Sequence, residues 1–195
     1  MARIKLHKLV YTYDYTDYTM PTVVKLTTED VVEVYASMKP IKYTIPAGGH
    51  VTQVMDMDFI RDRLVFTRGD VQTMMIANKE LFNKWYEEFV ESIMVVMVTI
   101  FSDTSSLFRI EAYLGPRNVP DTSLFSEPFY AFEIMNYGSQ LVHDRGKLPL
   151  DRTTKLGYKI YNEGDEAAQV VLNQGLAVLV KKEAENILQQ WITQL

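Results

Sequence analysis

The segment ESIMVVMVTIF, residues 91 to 101, is the most apolar in the chain and constrains the fold more than any other. From Ile93 to Phe101 the residues are almost all apolar, but the run is only about half the length that a bilayer-spanning helix needs. Acidic residues lie at Glu91 and Asp103, so we expect no membrane span. Enrichment in Val, Ile and Thr is typical of a buried strand, and we predict that this segment lies in the core.

The residues before this strand predict an amphipathic helix. Asn78 is a favourable N-cap, and Leu81, Trp85 and Phe89 recur at helical spacing with charged residues on the other side. We expect the helix to end near Glu91 or one turn later, where the helical alternation stops.

Composition indicates one soluble globular domain covering residues 1–195. The chain has 195 residues, of which 47% are hydrophobic and 23% charged, so it is long enough to bury its own core. It contains no cysteine, which excludes disulfides, thiol nucleophiles and thiolate metal sites. The N-terminus shows no apolar run of signal-peptide type. We therefore expect a protein that is cytoplasmic or assembled into a particle.

The charge distribution gives no support for a nucleic-acid partner. The net charge is −5, the pI is about 5.3, and the basic residues are scattered along the chain. Binding to phosphates requires a concentrated face of Lys and Arg.

Alternating apolar residues predict several further strands. These are Ile41 to Ile45, LFRIEAYL (residues 107 to 114), FYAFEIMNYG (residues 129 to 138) and Leu156 to Tyr161. Leu64 to Thr67 and Val71 to Ile76 predict a hairpin around Arg68-Gly69-Asp70. Gly beside Asp is favourable in a tight turn, so we interpret this tripeptide as the turn of the hairpin rather than as an integrin-binding motif.

Two segments are compatible with more than one type of secondary structure. LTTEDVVEVYASMKP predicts a short helix, with Thr27 as its cap and Pro40 as its stop, although its β-branched valines keep a strand open. Residues 166–195, with Asp165 as a possible cap, are either one long helix interrupted at Gly175 or a helix, a strand and a helix. In both cases residues 181–195 form a C-terminal amphipathic helix.

These patterns together predict an α+β fold. Its mixed, mostly antiparallel sheet would carry one central amphipathic helix and a C-terminal helix.

The sequence contains one weak candidate for a metal site. On a strand, Asp56 and Asp58 would project from the same face as His50, and two carboxylates can hold Mg²⁺ or Mn²⁺. The same pattern is common on solvated strand faces. No nucleotide, hydrolase or metalloprotease signature occurs. We therefore expect no cofactor and no enzymatic activity.

Aromatic residues and methionine point towards protein contacts. The chain has 12 Tyr, 9 Phe, 2 Trp and 10 Met, types that are enriched in interface cores. Residues 1–20 are a possible Tyr-rich arm. The Pro-rich loop GPRNVPDTSLFSEP, residues 115 to 128, carries two apolar residues that either anchor a partner or fold back over the core. The candidate interaction residues are Tyr11, Tyr13, Tyr15, Leu124, Phe125 and Trp191.

The leading hypothesis is a non-enzymatic structural subunit of a larger homo-oligomeric assembly. A virus or phage particle component, such as a capsid, neck or tail protein, is its most specific form. Partners would be further copies of the chain or other structural proteins. The alternatives are a small-ligand-binding protein or metal-dependent enzyme using Asp56 and Asp58, and a monomeric adaptor with a Pro-rich recognition loop.

Overall fold

A computed structural model describes residues 14–15, 18–19, 30–126, 130–137, 140–143 and 148–193. The strands are β1 (Asp14–Tyr15), β2 (Tyr18–Thr19), β3 (Val31–Ile45), β4 (His50–Met55), β5 (Leu64–Phe66), β6 (Val90–Ser102), β7 (Leu107–Pro116), β8 (Tyr130–Tyr137), β9 (Gln140–His143), β10 (Leu148–Leu150), β11 (Thr154–Asn162) and β12 (Ala168–Lys181). The helices are α1 (Met57–Arg61), α2 (Gly69–Ala77), α3 (Lys79–Phe89), α4 (Asp121–Ser126) and α5 (Ala184–Ile192).

Two antiparallel sheets form the body of the protein. The six-stranded sheet has the order β10-β6-β12-β3-β5, and β9 also pairs with β6. The four-stranded sheet has the order β4-β11-β7-β8. Strands β1 and β2 pair with each other. In the six-stranded sheet β12 is the central strand, paired with β3 on one side and with β6 on the other.

The order of the strands identifies the fold as a jelly roll. The chain passes from β3 in the larger sheet to β4 in the smaller sheet. It returns to the larger sheet as β6 and then forms β7 and β8 of the smaller sheet. It then returns to the larger sheet through β9 and β10, and ends with β11 in the smaller sheet and β12 in the larger. Two antiparallel sheets connected by this double Greek-key path are the defining feature of a jelly roll.

A polar contact joins the two sheets across the hydrophobic interior. The Tyr158 hydroxyl on β11 donates a 2.8 Å hydrogen bond to Oε1 of Gln174 on β12, and both side chains are buried. Nε2 of Gln174 lies 3.4 Å from the sulfur of Met55 and 3.6 Å from that of Met38. Burying an amide is costly unless its polar atoms find partners, so this contact aligns the two sheets.

The segment between β4 and β6 adds three helices and the short edge strand β5. Phe66 of β5 packs against Phe82 and Trp85 of α3, with ring centroids 5.9 and 6.2 Å apart. The buried Tyr86 hydroxyl donates a 2.7 Å hydrogen bond to the Met57 carbonyl of α1. These contacts join α1 and α3 to the same core as the sheets.

The helix predicted over LTTEDVVEVYASMKP is wrong. Residues 31–45 form one continuous strand in which Val34, Ala36 and Met38 are buried and the residues between them are exposed. Pro40 does not end the strand because the pairing with β12 shifts register at this point. A proline is tolerated at a bulge, where it interrupts no regular ladder hydrogen bond.

The predicted hairpin around Arg68-Gly69-Asp70 is also wrong. Leu64–Phe66 is a strand, but Gly69–Ala77 is the helix α2, with Val71 and Met74 buried one turn apart. Arg68 binds both Asp70 and Glu185 of α5, so the charged groups of the tripeptide are engaged within the chain.

The C-terminal region is a strand followed by a helix. Gly175 lies inside β12, and no helix follows Asp165, which therefore caps nothing. The predicted C-terminal helix corresponds to α5. Gly175 does not break β12 because the strand pairs on both sides at that position.

The α+β class with antiparallel sheets is confirmed, and so are several elements. The predicted helix capped by Asn78 is α3, where the Asn78 side chain accepts a hydrogen bond from the Leu81 amide. The apolar segment that follows is β6, and the strands predicted over residues 107–114, 129–138 and 156–161 correspond to β7, β8 and β11. The detail of one central helix is not confirmed, because α1, α2 and α3 follow one another between β4 and β6.

We expect Tyr158→Phe to lower the free energy of unfolding by about 1–3 kcal/mol, because it leaves Oε1 of Gln174 buried without its donor. Tyr35→Phe, at an exposed tyrosine, is the matched control and should change the stability by less than about 0.5 kcal/mol. Urea denaturation measures both variants. Equal midpoints for Tyr158→Phe and the wild type would contradict the role of the inter-sheet contact.

We also expect the protein to lose stability in alkaline solution. Burial raises the pKa of Tyr43 to about 12, and burial raises the pKa values of Tyr86 and Tyr158 still further. Tyrosine in the unfolded chain has a pKa of about 10, so above that pH the native state holds more protons and the stability falls with rising pH. Urea midpoints measured across this range should decline, and less steeply for Tyr43→Phe. A flat profile would refute the prediction.

Candidate interaction surface

The outer face of the six-stranded sheet carries a row of side chains that crosses four strands. Val65 of β5 pairs with Ser37 of β3, Ser37 pairs with Gly175 of β12, and Gly175 pairs with Met97 of β6. Because Gln174 points into the interior, Gly175 and its partners face outwards. Large apolar side chains therefore stand at the two ends of the row, and small residues lie between them.

The exposed apolar residues of this face form what we call the outer-sheet patch. Tyr35, Val65, Met97 and Phe101 have 56%, 36%, 43% and 45% of their surface exposed. Ala177 and Met94, in the neighbouring row, are buried. The patch thus has members on β3, β5 and the second half of β6.

A bulge places Met97 in the patch. The pairing of β12 with β6 shifts register between Gly175 and Leu176, and Val96 is the extra residue. The alternation of inward and outward side chains along β6 therefore shifts by one residue at this point. A Cβ atom built on Gly175 would lie 3.4 Å from Cβ and 3.5 Å from Cε of Met97. The methionine therefore leans over the glycine and fills part of the space next to it.

Glu33 and Lys39, which carry opposite charges, both lie on the outward side of β3. Glu33, Tyr35, Ser37 and Lys39 are alternate residues of the strand and all are exposed. The Tyr35 hydroxyl donates a 2.9 Å hydrogen bond to Oε2 of Glu33. On this side of the strand, Tyr35 and Ser37 lie between the acidic and the basic residue.

The outer face of the four-stranded sheet is polar. Arg109 forms ion pairs with Glu111 and Glu163 and stacks over the Tyr161 ring at 3.9 Å. Glu111 also accepts hydrogen bonds from the hydroxyls of Tyr113 and Tyr161. Burial and the contact with Glu111 raise the pKa values of both tyrosines above the ordinary value. The polar atoms of this network satisfy one another, which indicates a structural role.

Helix α4 folds back onto this second face. Leu124 is fully buried, and Phe125 packs edge-on against Tyr113 with ring centroids 5.2 Å apart. Gly157 provides the space, because a Cβ atom there would lie 2.8 Å from Phe125 and 2.9 Å from Leu124. Lys155 secures the loop by donating to Asp121 Oδ1 and to the Val119 carbonyl. Leu124 is therefore not an exposed anchor, which corrects that alternative of the prediction.

Asp56 and Asp58 do not lie together on a strand. Asp56 is the N-cap of α1 and accepts a 2.8 Å hydrogen bond from the Phe59 amide, while Asp58 lies in the first turn. Arg117 binds both carboxylates, and its hydrogen bond to Asp58 raises the pKa of the guanidinium. Among the described residues no group of His, Asp and Glu has the arrangement of a metal site. These aspartates instead join the loop before α4 to α1.

The remaining predicted contact residues are in separate places. Tyr11 and Tyr13 lie outside the described residues, and Tyr15 lies in β1, paired with Tyr18. Trp191 of α5 packs against Phe89 at 6.1 Å. In the part of the chain that the structure describes, no helix is long and apolar enough to cross a membrane.

Sequence reasoning missed the outer-sheet patch. Met97 and Phe101 belong to the apolar run that we assigned entirely to the core, and a bulge cannot be read from such a run because nearly every position is apolar. On β3 the alternation of Glu33, Tyr35, Ser37 and Lys39 with apolar residues is a signal for a half-exposed strand. A helix is predicted there instead.

Comparisons with known proteins give only distant similarities. No protein-family model and no curated protein matches the chain. Among solved structures, the decameric BFDV capsid protein matches with 10% identity over 78% of this chain and 99% of its own, at a TM-score of 0.39. A marine algae virus of the order Picornavirales matches with 13% identity over 74% and 72% of the two chains, at a TM-score of 0.30. A lipoprotein from Bacteroides thetaiotaomicron matches with 10% identity over 82% and 92%, at a TM-score of 0.32. Similarities at this level assign neither a family nor a function.

We expect Gly157→Val to displace α4 from the four-stranded sheet. The added side chain would overlap Leu124 and Phe125, and overpacking of this kind costs about 1–3 kcal/mol, although valine itself suits a strand. Limited proteolysis should show faster cleavage within residues 117–126. Gly69→Val, where a Cβ atom meets nothing within 4 Å, is the control and should be cleaved as the wild type is. Unchanged cleavage of Gly157→Val would contradict the docking of α4.

Proposed function

We propose that this chain is a non-enzymatic structural subunit of a larger homo-oligomeric assembly, and that the outer-sheet patch is a surface through which copies associate. In its more specific form, the proposal is that the assembly is a virus or phage particle. The observation that carries the proposal is the exposure of Tyr35, Val65, Met97 and Phe101 on one face of one sheet.

The composition and position of the patch support association. Single exposed apolar residues are common on soluble proteins and need no explanation. Here four of them share one face, and Val65 and Met97 stand about 14 Å apart across three strand spacings. Tyrosine, phenylalanine and methionine are enriched in interface cores.

The fold is compatible with the particle form of the proposal. Jelly rolls occur in viral capsid proteins, and also in lectin domains and cupins, so the architecture alone does not select one function. Self-association through the outer-sheet patch would distinguish a particle subunit from a monomeric binding domain.

The residues named for the other two hypotheses have partners within the chain. For the adaptor hypothesis, Leu124 is buried beside Gly157 and Phe125 packs against Tyr113. For the metal-enzyme hypothesis, Asp56 and Asp58 both form ion pairs with Arg117.

Introducing charges into the patch should disrupt association. We expect the wild type to increase in mass with concentration, and the double variant Met97→Glu, Phe101→Glu to remain smaller, because two carboxylates would have to be desolvated in the contact. Light scattering behind a sizing column measures the mass across a concentration series.

Ile76→Glu is the matched control for this experiment. Ile76 is 74% exposed but lies on helix α2 and not on a strand of the larger sheet, so its replacement should leave the mass series unchanged. A wild type that stays monomeric at high concentration would overturn the proposed function. Equal masses for the wild type and the double variant would exclude the patch as the contact.

A further inference from the structure

We infer that the edge strand β4 pairs with β4 of a second copy of this chain, antiparallel and about a two-fold axis that passes through Thr52. This inference rests on the proposed function and adds a second contact between copies, separate from the outer-sheet patch. In the pair, the two four-stranded sheets join edge to edge into one continuous antiparallel sheet.

The backbone of β4 presents a row of hydrogen-bonding groups at the edge of its sheet. In the part of the chain that the structure describes, β4 pairs with β11 only, and the Asn162 amide donates to the Gly49 carbonyl. Because antiparallel strands alternate in direction from residue to residue, the odd-numbered residues of β4 also direct their N–H and C=O groups towards β11. The groups of His50, Thr52 and Val54 therefore point towards the edge.

The central edge groups are available to another strand. His50 and Thr52 are exposed. The Val54 carbonyl accepts a 3.0 Å hydrogen bond from Nε2 of Gln53, whose Oε1 accepts one from the Tyr43 hydroxyl. A carbonyl oxygen has two lone pairs, so one remains for a partner strand. Among the described residues, the N–H and C=O groups of Thr52 have no hydrogen-bond partner.

The composition of β4 does not oppose pairing. Natural sheet edges are protected by short strands, bulges, proline or charged side chains. The six residues of β4 include no Lys, Arg, Asp, Glu or Pro, and β4 pairs with β11 without a register shift. The free edge of the larger sheet differs, because β5 has only three residues and lies between Arg63 and Arg68, and β3 carries Pro40 and Lys42 beyond it. Of these two edges, β4 is the one open to another strand.

The positions of the edge groups select the axis. With the axis at Thr52, this residue pairs with Thr52 of the other copy, and His50 pairs with Val54. Every edge residue of both copies then takes part in a hydrogen-bonded pair, in which the two residues exchange two bonds. An axis moved by one residue leaves an edge residue of each copy without a partner. The contact is self-complementary, as an isologous two-fold interface requires.

The side chains agree with this register. Met55 is buried with its sulfur beside Gln174, so the side chains of His50, Thr52 and Val54 project from the opposite, outer face of the sheet. Across the axis threonine faces threonine, and on each side of it the His50 ring faces the β-branched Val54. Both are favourable cross-strand pairs, and no two acidic or two basic side chains are placed opposite each other.

The inference is tested with charges at Thr52, the residue that faces itself across the axis. Thr52→Lys and Thr52→Glu each bring like charges together, and we expect each variant alone to dimerise about fivefold more weakly. An equimolar mixture of the two places opposite charges at the axis, and its mixed dimer should have a dissociation constant within about threefold of the value with threonine. All proteins in the experiment also carry Met97→Glu and Phe101→Glu, which remove association through the outer-sheet patch. Sedimentation equilibrium then measures the β4 contact alone.

Thr73→Lys, at an exposed threonine on α2, is the control and should leave the dissociation constant unchanged. If the mixture is as weak as the separate variants, or if the separate variants dimerise normally, the two-fold pairing is overturned. It is also overturned if the protein with Met97→Glu and Phe101→Glu stays monomeric while the wild type associates. In each of these cases the proposed function stands. A wild type that stays monomeric overturns the proposed function as well.

Discussion

The hydrogen bond from Tyr158 to Gln174 is the contact on which the two-sheet architecture depends. It joins the middle of β11 to the middle of β12 across an interior in which most residues are apolar, and the sulfur atoms of Met38 and Met55 contact the remaining amide nitrogen. A glutamine buried at this point would be strongly unfavourable in any other alignment of the sheets, because its polar atoms would have no partners. The contact therefore specifies how the sheets face each other as well as stabilising them.

The orientation of Gln174 also determines the character of the opposite face. Side chains alternate along a strand, so an inward glutamine turns Gly175 outwards, and the partners of Gly175 on the neighbouring strands follow. The bulge beside Gly175 then moves Met97 to the surface. The interior polar contact and the exposed apolar patch therefore both follow from the register in which β12 pairs with its neighbours. The four-stranded sheet has no comparable apolar patch among the described residues, because α4 and the Arg109–Glu111 network cover its outer face.

The elements that could be predicted from the sequence are those with strong local signals. The cap at Asn78, the spacing of Leu81 and Trp85, and the apolar run of β6 are all visible within one segment. The errors arose where distant contacts overrule local preference. β3 has a helix-like start and a proline, but pairing with β12 along its whole length makes it a strand. The position of Leu124 could not be predicted because Gly157, the residue that makes room for it, lies on β11, far along the chain.

The jelly roll itself could not be predicted, since no local pattern reveals which strands become neighbours. The patch was hidden for a related reason: exposed and buried residues of β6 have the same apolar character, and only the register with β12 separates them.

The most direct test of the central claim uses the absence of cysteine from the natural chain. A single cysteine at Met97 would report whether the patch is covered when copies associate, and a single cysteine at Ile76 would report on exposed surface elsewhere. The account predicts that labelling of Met97→Cys by a maleimide slows as the protein concentration rises, while labelling of Ile76→Cys proceeds at a constant rate. Labelling of Met97→Cys that is equally fast at every concentration would contradict it.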